Sequence, residues 1–577
     1  MAEADLSGRV IEIPSREFPA ARRRWFEGAL LGLRLAEFAV LSVFVAIAAV
    51  ASFYHEPWAD EAQAWLIARD LSIPRILGVM TYEGSPPLWH LLLKALIRLH
   101  LPYSALGAVS VTLMSGAIYV WLRWSPLPRL LRWTVPFAFY FQYQYAVVAR
   151  SYALSIFLAF AAAGLWREGV KRIVPLAVVL ALLAQTNLYG FVMAAGFALA
   201  FAGEYWRELK DTACHINASD DGACQLSTPT SQQRARRGLR GRRKIEIVVA
   251  LVVLAASCLI AVALAKPPVD SSSAAGTTLN AEMKTADVFS VASRALSGRG
   301  TLYMSLGLRS SWRVVVLVLL VVWAIAIRSR VHYGLPLVFT ALALWQGARL
   351  TLLWEAGLLF LLLFWFLRVG KIHCALPLVF TMVSMGLIRS VYQHYGMTLA
   401  ALVISLWIAW PERPLTQNSE NRTSIPQAAL GLALVLQLPA TFAAVVHEVK
   451  EPYSGAAAAA EYIRPFVGKR PIYGFTFFPV ALQPYFEHNI YANQTEAAWI
   501  WSKGYESKVK APLVTGMEKD AMAVAYSAGN PTGPMFHALE APLSQQQMRK
   551  THVFCGRMFW FDTQSDAECF DIYEKQP

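Results

Sequence analysis

Six acidic and imidazole side chains fall in one polar segment that follows the first long apolar run of the chain. A carboxylate in such a segment can accept the proton of a hydroxyl group during its attack on another atom. Asp60 also has a structural interpretation, because its spacing to Gln63 fits an N-cap with a capping box. Glu61 alone fits a first-turn acid favoured by the helix dipole, and Glu56 and Glu83 fit solvated loop acids. The six residues are His55, Glu56, Asp60, Glu61, Asp70 and Glu83.

Three further polar side chains stand beside apolar runs, namely Arg150, Arg389 and His394. An ionisable residue at membrane depth usually serves a function, and several such donors together can bind a phosphate group. We therefore predict that the three converge on one outward-facing cavity, which Asp60 also faces. The competing interpretation is that each arginine extends to the lipid headgroups. For any one of these residues the two interpretations carry equal weight.

The composition indicates the elements that must position these residues. The chain has 577 residues, of which 56% are hydrophobic and 16% charged, and its mean hydropathy is +0.41. Soluble domains carry roughly 25% charged residues, so we predict an all-α polytopic membrane bundle with about thirteen spans. The predicted spans are 30–53, 103–121, 133–148, 152–166, 173–186, 188–205, 245–265, 312–327, 335–347, 350–367, 376–388, 397–410 and 427–446.

Basic residues predict the orientation of these spans. Their clusters fall on one side if the N-terminus is cytoplasmic, which places the C-terminus outside. The predicted parts are a cytoplasmic segment 1–29, a membrane module 30–446 and an extracytoplasmic domain 447–577. The module includes outer loops at 54–102 and 266–311 and a cytoplasmic loop at 207–244. The net charge of +14 then reflects orientation and anionic lipid rather than nucleic acid.

The outer loop 54–102 is predicted to hold two short helices. One covers 60–70, where Ala62, Trp65, Leu66 and Arg69 recur at helical spacing and suit a membrane interface. The other covers 87–99 and has proline in its first turn. We expect both helices to lie against the membrane.

The segment after residue 447 is long enough for a small domain. Its patterns predict a helix at 455–466 and strands at 471–478 and 551–561, which together indicate a mixed α/β fold. Cys555 and Cys569 are the two cysteines of this extracytoplasmic domain, so we predict a disulfide between them. In contrast, 211–243 is rich in Ser, Thr, Gln and Arg, and we predict that it is disordered.

The segments HEPWADEAQAW (55–65) and YEGSPPLWHLLL (82–93) resemble the first outer loop of GT-C membrane glycosyltransferases. These enzymes include protein O-mannosyltransferases and lipid A aminoarabinose transferases, and a bacterial branch is most similar. Its Arg-Tyr-Ala and Arg-His-x-Gly steps resemble 150–153 (RSYA) and 393–396 (QHYG). Ser85 and Gln393 depart from the pattern, where many relatives have His and Arg.

The resemblance implies inverting transfer of a sugar from a polyprenyl-phosphate carrier to an acceptor hydroxyl at the outer face of a bacterial inner membrane. The acceptor would be a glycan, lipid or protein of the cell envelope. Asp60 matches the family's base, and Glu61 would orient or assist it. From the residue types and the resemblance together, the expected substrate-binding residues are His55, Glu56, Glu83, Arg150, Tyr152, Arg389 and His394.

Several alternatives remain at this stage. A lipid or glycan transporter would use the same cavity and cations without a base, although such proteins often show an inverted repeat. No cofactor is expected, but Glu56, Asp60 and Glu61 could bind a divalent cation. Arg349 and Glu355 fit a structural ion pair. Asn187 and Tyr189 fit a plain turn with an interfacial aromatic.

Overall fold

The computed structural model describes eleven stretches of the chain. They are residues 20–166, 172–218, 231–266, 268, 362–387, 392–411, 420–475, 477–494, 517–528, 543–559 and 565–575. Most of the expected outer loop 266–311 and of the predicted spans from 312 to 367 lies outside the described residues, as do Arg349, Glu355 and Arg389.

The described chain is mostly helical, with one small sheet near its end. Helices α1 to α5 are Ala20–Tyr54, Ala59–Asp70, Ile73–Glu83, Leu88–Arg98 and Leu106–Trp124. Helices α6 to α10 are Arg129–Thr134, Ser151–Trp166, Ile173–Ala184, Leu188–Ala218 and Ser231–Ala265. Helices α11 to α14 are Leu376–Leu387, Tyr392–Ala409, Glu420–Lys450 and Ala456–Ile463. Strands β1 to β4 are Ile472–Phe475, Met522–Ala528, Met548–Phe559 and Ser565–Lys575.

Four described helices are long and apolar enough to cross a membrane. These segments are Leu35–Tyr54, Tyr103–Trp124, Leu188–Tyr205 and Ile245–Ala265. Shorter apolar helices lie at Ser151–Trp166, Ile173–Ala184, Ile372–Met385 and Gln393–Ala409. A helical membrane protein is therefore supported, whereas the expected number of about thirteen spans stays a prediction.

The predicted span at 133–148 is wrong as a continuous helix. Helix α6 ends at Thr134, a 3₁₀ turn covers Val135–Phe137, and one π-helical turn covers Tyr140–Gln144. Pro136 has no N–H to continue the helical hydrogen bonds. Residues 140–144 are all buried within the bundle, where Gln142 Nε2 donates to the carbonyl of Phe44 at 3.1 Å. The apolar run is thus explained by burial in protein.

The two helices predicted in 54–102 are present as α2 and α4, and α3 lies between them. The left-handed conformation of Gly84 (φ 64°) ends α3 and allows the turn into α4. However, α2 does not present its apolar face to a membrane. Trp65 and Ala68 pack on the helical bundle, while the opposite side of α2 packs on the residues after 455. The membrane-facing prediction for α2 was wrong because the C-terminal domain covers that face.

The C-terminal domain combines α14 with a four-stranded sheet of order β1-β2-β4-β3. Strands β1 and β2 are parallel, and the other two pairs are antiparallel. The predicted mixed α/β fold is confirmed, although β2 and β4 were not predicted. Cys555 and Cys569 are opposite each other on β3 and β4 and form the predicted disulfide.

The polar segment 211–243 also differs from its prediction. Residues 211–218 continue α9, and residues 231–243 form the beginning of α10. Arginine and glutamine are good helix formers, so a basic polar composition does not by itself prevent helix formation. The prediction of disorder is wrong for these residues.

Candidate active site

An ion pair between Asp60 and Arg150 forms the centre of the candidate site. Nη1 of Arg150 lies 2.8 Å from Oδ2 of Asp60, and the two side chains are 24% and 28% exposed. The guanidinium also lies over two aromatic rings, 5.9 Å from the Trp58 centroid and 5.4 Å from the Tyr152 centroid. These contacts restrict the arginine to a position where an incoming anion can reach it.

Asp60 is not the N-cap of α2, so its structural interpretation is wrong. The helix begins at Ala59 with Trp58 as its N-cap, and Asp60 is the second helical residue. Glu61 is the third, and its Oε2 accepts a hydrogen bond from the Trp58 amide at 3.2 Å. Gln63 does not close the cap but donates to Oε1 of Glu83 at 3.2 Å. The carboxylate of Asp60 therefore has no capping role.

A buried network of charged groups, formed by His55, Glu61 and Glu448, holds the start of α2 against the bundle. Nε2 of His55 lies 3.0 Å from Oε2 of Glu61, and its Nδ1 lies 2.7 Å from Oε1 of Glu448. The hydroxyl of Tyr143 donates to the other oxygen of Glu448. All three charged side chains are at most 1% exposed.

His55 is the cation of this charged network. Burial alone would lower the pKa of His55, but the charges of Glu61 and Glu448 outweigh burial and raise that pKa to about 10. An imidazolium at neutral pH then lies between two carboxylates, which is the arrangement in which buried charges are tolerated.

The charged network is also connected to the segment of Arg150, through a backbone amide. The other oxygen of Glu61 accepts a hydrogen bond from the amide of Ala149, the residue before Arg150. Glu61 therefore connects the helix that carries Asp60 to the segment that carries Arg150. This position fits the expected orienting role of Glu61, whereas its full burial leaves no route for Glu61 to touch a substrate.

A cavity of about 250 Å³ opens beside the ion pair. Three parts of the chain form most of its wall: the first turn of α2, the α3–α4 turn with the start of α4, and the turn between α8 and α9. Its lining residues are Asp60, Ala64, Glu83, Gly84, Ser85, Trp89, His90, Arg150, Ser151, Tyr152, Thr186, Asn187, Leu188, Tyr189 and His394.

One side of the cavity is a network of polar groups. Nδ2 of Asn187 donates to Ser155 at 2.8 Å and to Ser151 at 3.1 Å, while its Oδ1 accepts from the Gly190 amide at 2.8 Å. The hydroxyl of Tyr189 is 3.0 Å from Nδ1 of His394. Asn187 thus holds the start of α9 in place, and both Asn187 and Tyr189 face the cavity rather than forming only a plain turn.

The acids of the cavity have unusual environments. Burial raises the pKa of Asp60, and the nearby Arg150 charge opposes that rise. Burial also raises the pKa of Glu83 to about 7, and the charge of Asp60 adds to this increase. Glu83 therefore changes its charge near neutral pH.

The structure separates the predicted site residues into two groups. The predicted convergence of Asp60, Arg150 and His394 on one cavity is confirmed, and that of Arg389 stays a prediction. The residues that line the cavity are Asp60, Glu83, Arg150, Tyr152 and His394, and those that do not are His55, Glu56 and Glu61. His55 and Glu61 support the site from behind.

Glu56 faces the C-terminal domain instead of the cavity. Burial raises the pKa of Glu56 to about 7, and its Oε2 has no hydrogen-bond partner among the described residues. Glu56, Asp60 and Glu61, named above as a possible cation site, do not form such a group, and the described part of the chain contains no group of three metal-ligating side chains.

Sequence reasoning missed three residues of the site region. Glu448 is separated from His55 by 393 positions, and no local pattern could have connected them. Trp89 and His90 were visible in the PPLWH segment, but their helix was interpreted only as a membrane-surface element. They now form part of the cavity wall.

Comparisons of the chain with protein-family models, with curated proteins and with solved structures find no match.

Proposed function

We propose that this protein is a membrane glycosyltransferase of the GT-C type that moves a sugar from a polyprenyl-phosphate carrier to an acceptor hydroxyl with inversion. The observation that carries the proposal is the pairing of Asp60 with Arg150 at the edge of a cavity. A transfer from a phosphate ester needs a base for the acceptor and a cation for the leaving phosphate. These two groups are 2.8 Å apart, and the resemblance of 55–65 and 82–93 to GT-C loops points to the same pair.

Asp60 acts as the base in this proposal. Its oxygen Oδ2 is paired with Arg150, so Oδ1 is the oxygen that would accept the hydroxyl proton. Burial raises the pKa of Asp60, which makes the carboxylate a better proton acceptor, and the charge of Arg150 beside it favours the ionised form. Both properties suit a general base.

Arg150 holds the phosphate. A phosphodiester approaching the guanidinium competes with Asp60 for it and thereby frees the carboxylate for the acceptor. As the acceptor oxygen bonds to the anomeric carbon, the bond from that carbon to the phosphate oxygen breaks and its electron pair stays on the phosphate. Arg150 stabilises this charge, and His394 lines the same cavity.

The location is also part of the proposal. The disulfide between Cys555 and Cys569 favours an oxidising compartment for the C-terminal domain. Because that domain packs on α2, the cavity would lie on the same outer side of a bacterial inner membrane, with the N-terminus in the cytoplasm. Membrane lipids would surround the helices, and a glycan, lipid or protein would supply the hydroxyl.

The proposal is tested with the purified full chain in lipid nanodiscs. Polyprenyl phosphates carrying a labelled hexose or pentose are offered with acceptor lipids and glycans from a bacterial envelope. We expect label in the acceptor with inverted anomeric configuration. If proteoliposomes instead move the intact labelled carrier across the bilayer without cleaving it, the protein is a transporter and the proposed chemistry is wrong.

A further inference from the structure

Two neighbouring side chains at the start of α4 form part of the cavity wall. Trp89 is 3% exposed and His90 is 6% exposed, and both line the cavity beside Glu83 and Ser85. The amide of Leu88 donates to the carbonyl of Gln185 at 3.1 Å, which joins this first turn to the α8–α9 turn. The position of Trp89 and His90 is therefore fixed by the same elements that form the rest of the cavity.

Each of these two side chains has one buried polar atom that lacks a hydrogen-bond partner in the described part of the chain. Neither Nε1 of Trp89 nor Nδ1 of His90 has a hydrogen-bond partner among the described residues. Buried polar atoms are nearly always hydrogen-bonded, so each exception calls for an explanation. Two adjacent exceptions on one cavity wall indicate a ligand that supplies the missing hydrogen bonds.

Several other polar side chains of the cavity have partners within the described residues. Asn187 bonds Ser151 and Ser155, Tyr189 bonds His394, and Arg150 is paired with Asp60. Among the described lining residues, the buried polar atoms without a hydrogen-bond partner are Nε1 of Trp89, Nδ1 of His90 and Nη1 of Arg150, and the last of these is ion-paired with Asp60.

Their chemistry indicates the kind of ligand. Burial lowers the pKa of His90 to about 4, so its imidazole is neutral and offers one donor and one acceptor nitrogen. The indole offers one N–H donor. Neutral donors and acceptors suit hydroxyl groups, which both donate and accept, better than they suit a phosphate. The volume of about 250 Å³ is below the roughly 300–1,000 Å³ of most ligand pockets, so it fits a small ring rather than a whole lipid.

We propose that Trp89 and His90 form the subsite for the monosaccharide ring of the carrier, with the indole N–H and the imidazole each bonded to a ring hydroxyl. This inference rests on the proposed function, because it assigns the sugar side of the same cavity. Arg150 binds the phosphate, and the start of α4 distinguishes a sugar-bearing carrier from a bare one.

The test compares two ligands on two variants of the full chain in nanodiscs. The probes are polyprenyl phosphate alone and polyprenyl phosphate carrying a hexose or a pentose, and the readout is Kd. Trp89→Phe keeps an aromatic ring and removes the N–H, and His90→Phe keeps ring volume and removes both nitrogens. Each variant should weaken binding of the best sugar-bearing carrier by about three- to tenfold and leave binding of the bare carrier unchanged.

Trp133→Phe is the matched control. Nε1 of Trp133 is also buried without a partner among the described residues, but Trp133 does not line the cavity. Its loss should change neither Kd. The inference is overturned if Trp89→Phe and His90→Phe weaken both probes equally, if they weaken neither, or if the wild type does not prefer any sugar-bearing carrier.

Failure of the proposed function gives a different result. If the wild type prefers the sugar-bearing carrier through Trp89 and His90 but never transfers the sugar, the subsite stands and the proposed glycosyl transfer is wrong. If the wild type transfers sugar and both variants show the same KM and kcat as the wild type, the proposed function stands and the sugar subsite at Trp89 and His90 is wrong.

Discussion

The buried contact between His55 and its two acids makes a strong prediction about stability. His55→Ala removes the cation between Glu61 and Glu448, whose side chains are completely buried. Breaking a buried ion pair by deleting one partner costs roughly 3–5 kcal/mol. The rise of the His55 pKa from 6.5 to about 10 corresponds to roughly 5 kcal/mol at about 1.4 kcal/mol for each pH unit, which agrees with the upper end of that range.

The free energy of unfolding in detergent, measured by SDS titration, should therefore fall by roughly 3–5 kcal/mol in His55→Ala. His488→Ala is the matched control, because His488 is exposed on the C-terminal domain, and its loss should stay within about 0.5 kcal/mol. Adding Glu448→Gln to His55→Ala should recover part of the stability, since one buried negative charge is then absent. Equal stability of the His55 and His488 variants would refute the reasoning.

The pH and disulfide predictions follow from the same contacts. Because the folded pKa of His55 lies above its ordinary value, its contribution to stability is complete below pH 6.5 and is lost as pH rises to about 10. The unfolding free energy of the wild type should fall over that interval, and a constant value would contradict this. Glu83 gains a negative charge as pH rises through about 7, which opposes phosphate binding, so kcat/KM should decrease there in the wild type and stay level in Glu83→Gln. Replacing Cys555 and Cys569, 14 positions apart, with serine should cost about 3 kcal/mol, and wild type treated with a reductant should match this variant in chemical denaturation.

The local elements of the site could be predicted from the sequence. Helical spacing and proline position gave α2 and α4 to within a residue or two, because short amphipathic helices with clear start signals are local features. The disulfide followed from the compartment and the cysteine count. The convergence of Arg150 and His394 followed from placing both near the outer ends of predicted spans, and that of Asp60 followed from placing it in the outer loop after the first span.

The supporting contacts could not be predicted in this way. The pairing of His55 with Glu448 depends on the tertiary arrangement of α1 and α13, and neither residue has a local signal for it. Trp58 caps α2 without being a favoured capping residue, so the sequence pattern misplaced the cap onto Asp60. The apolar face of α2 resembled a membrane-surface helix because burial against a protein domain and burial in a membrane select the same side chains.

The most direct test of the central claim is the transfer rate of Asp60→Asn in the reconstituted assay. Asparagine has nearly the same shape as aspartate but cannot accept the proton. Asp60 does not cap α2, its ion pair with Arg150 is partly exposed, and the asparagine oxygen can still accept a hydrogen bond from Arg150, so folding should be retained. Asp70→Asn is the matched control, since Asp70 ends the same helix, is exposed and bonds Arg69 away from the cavity. We expect Asp60→Asn to lower kcat about 10²–10⁴-fold without weakening carrier binding, because the phosphate no longer competes with Asp60 for Arg150, and Asp70→Asn to retain the wild-type rate. Full transfer activity in Asp60→Asn would show that Asp60 is not the base and would contradict the mechanism.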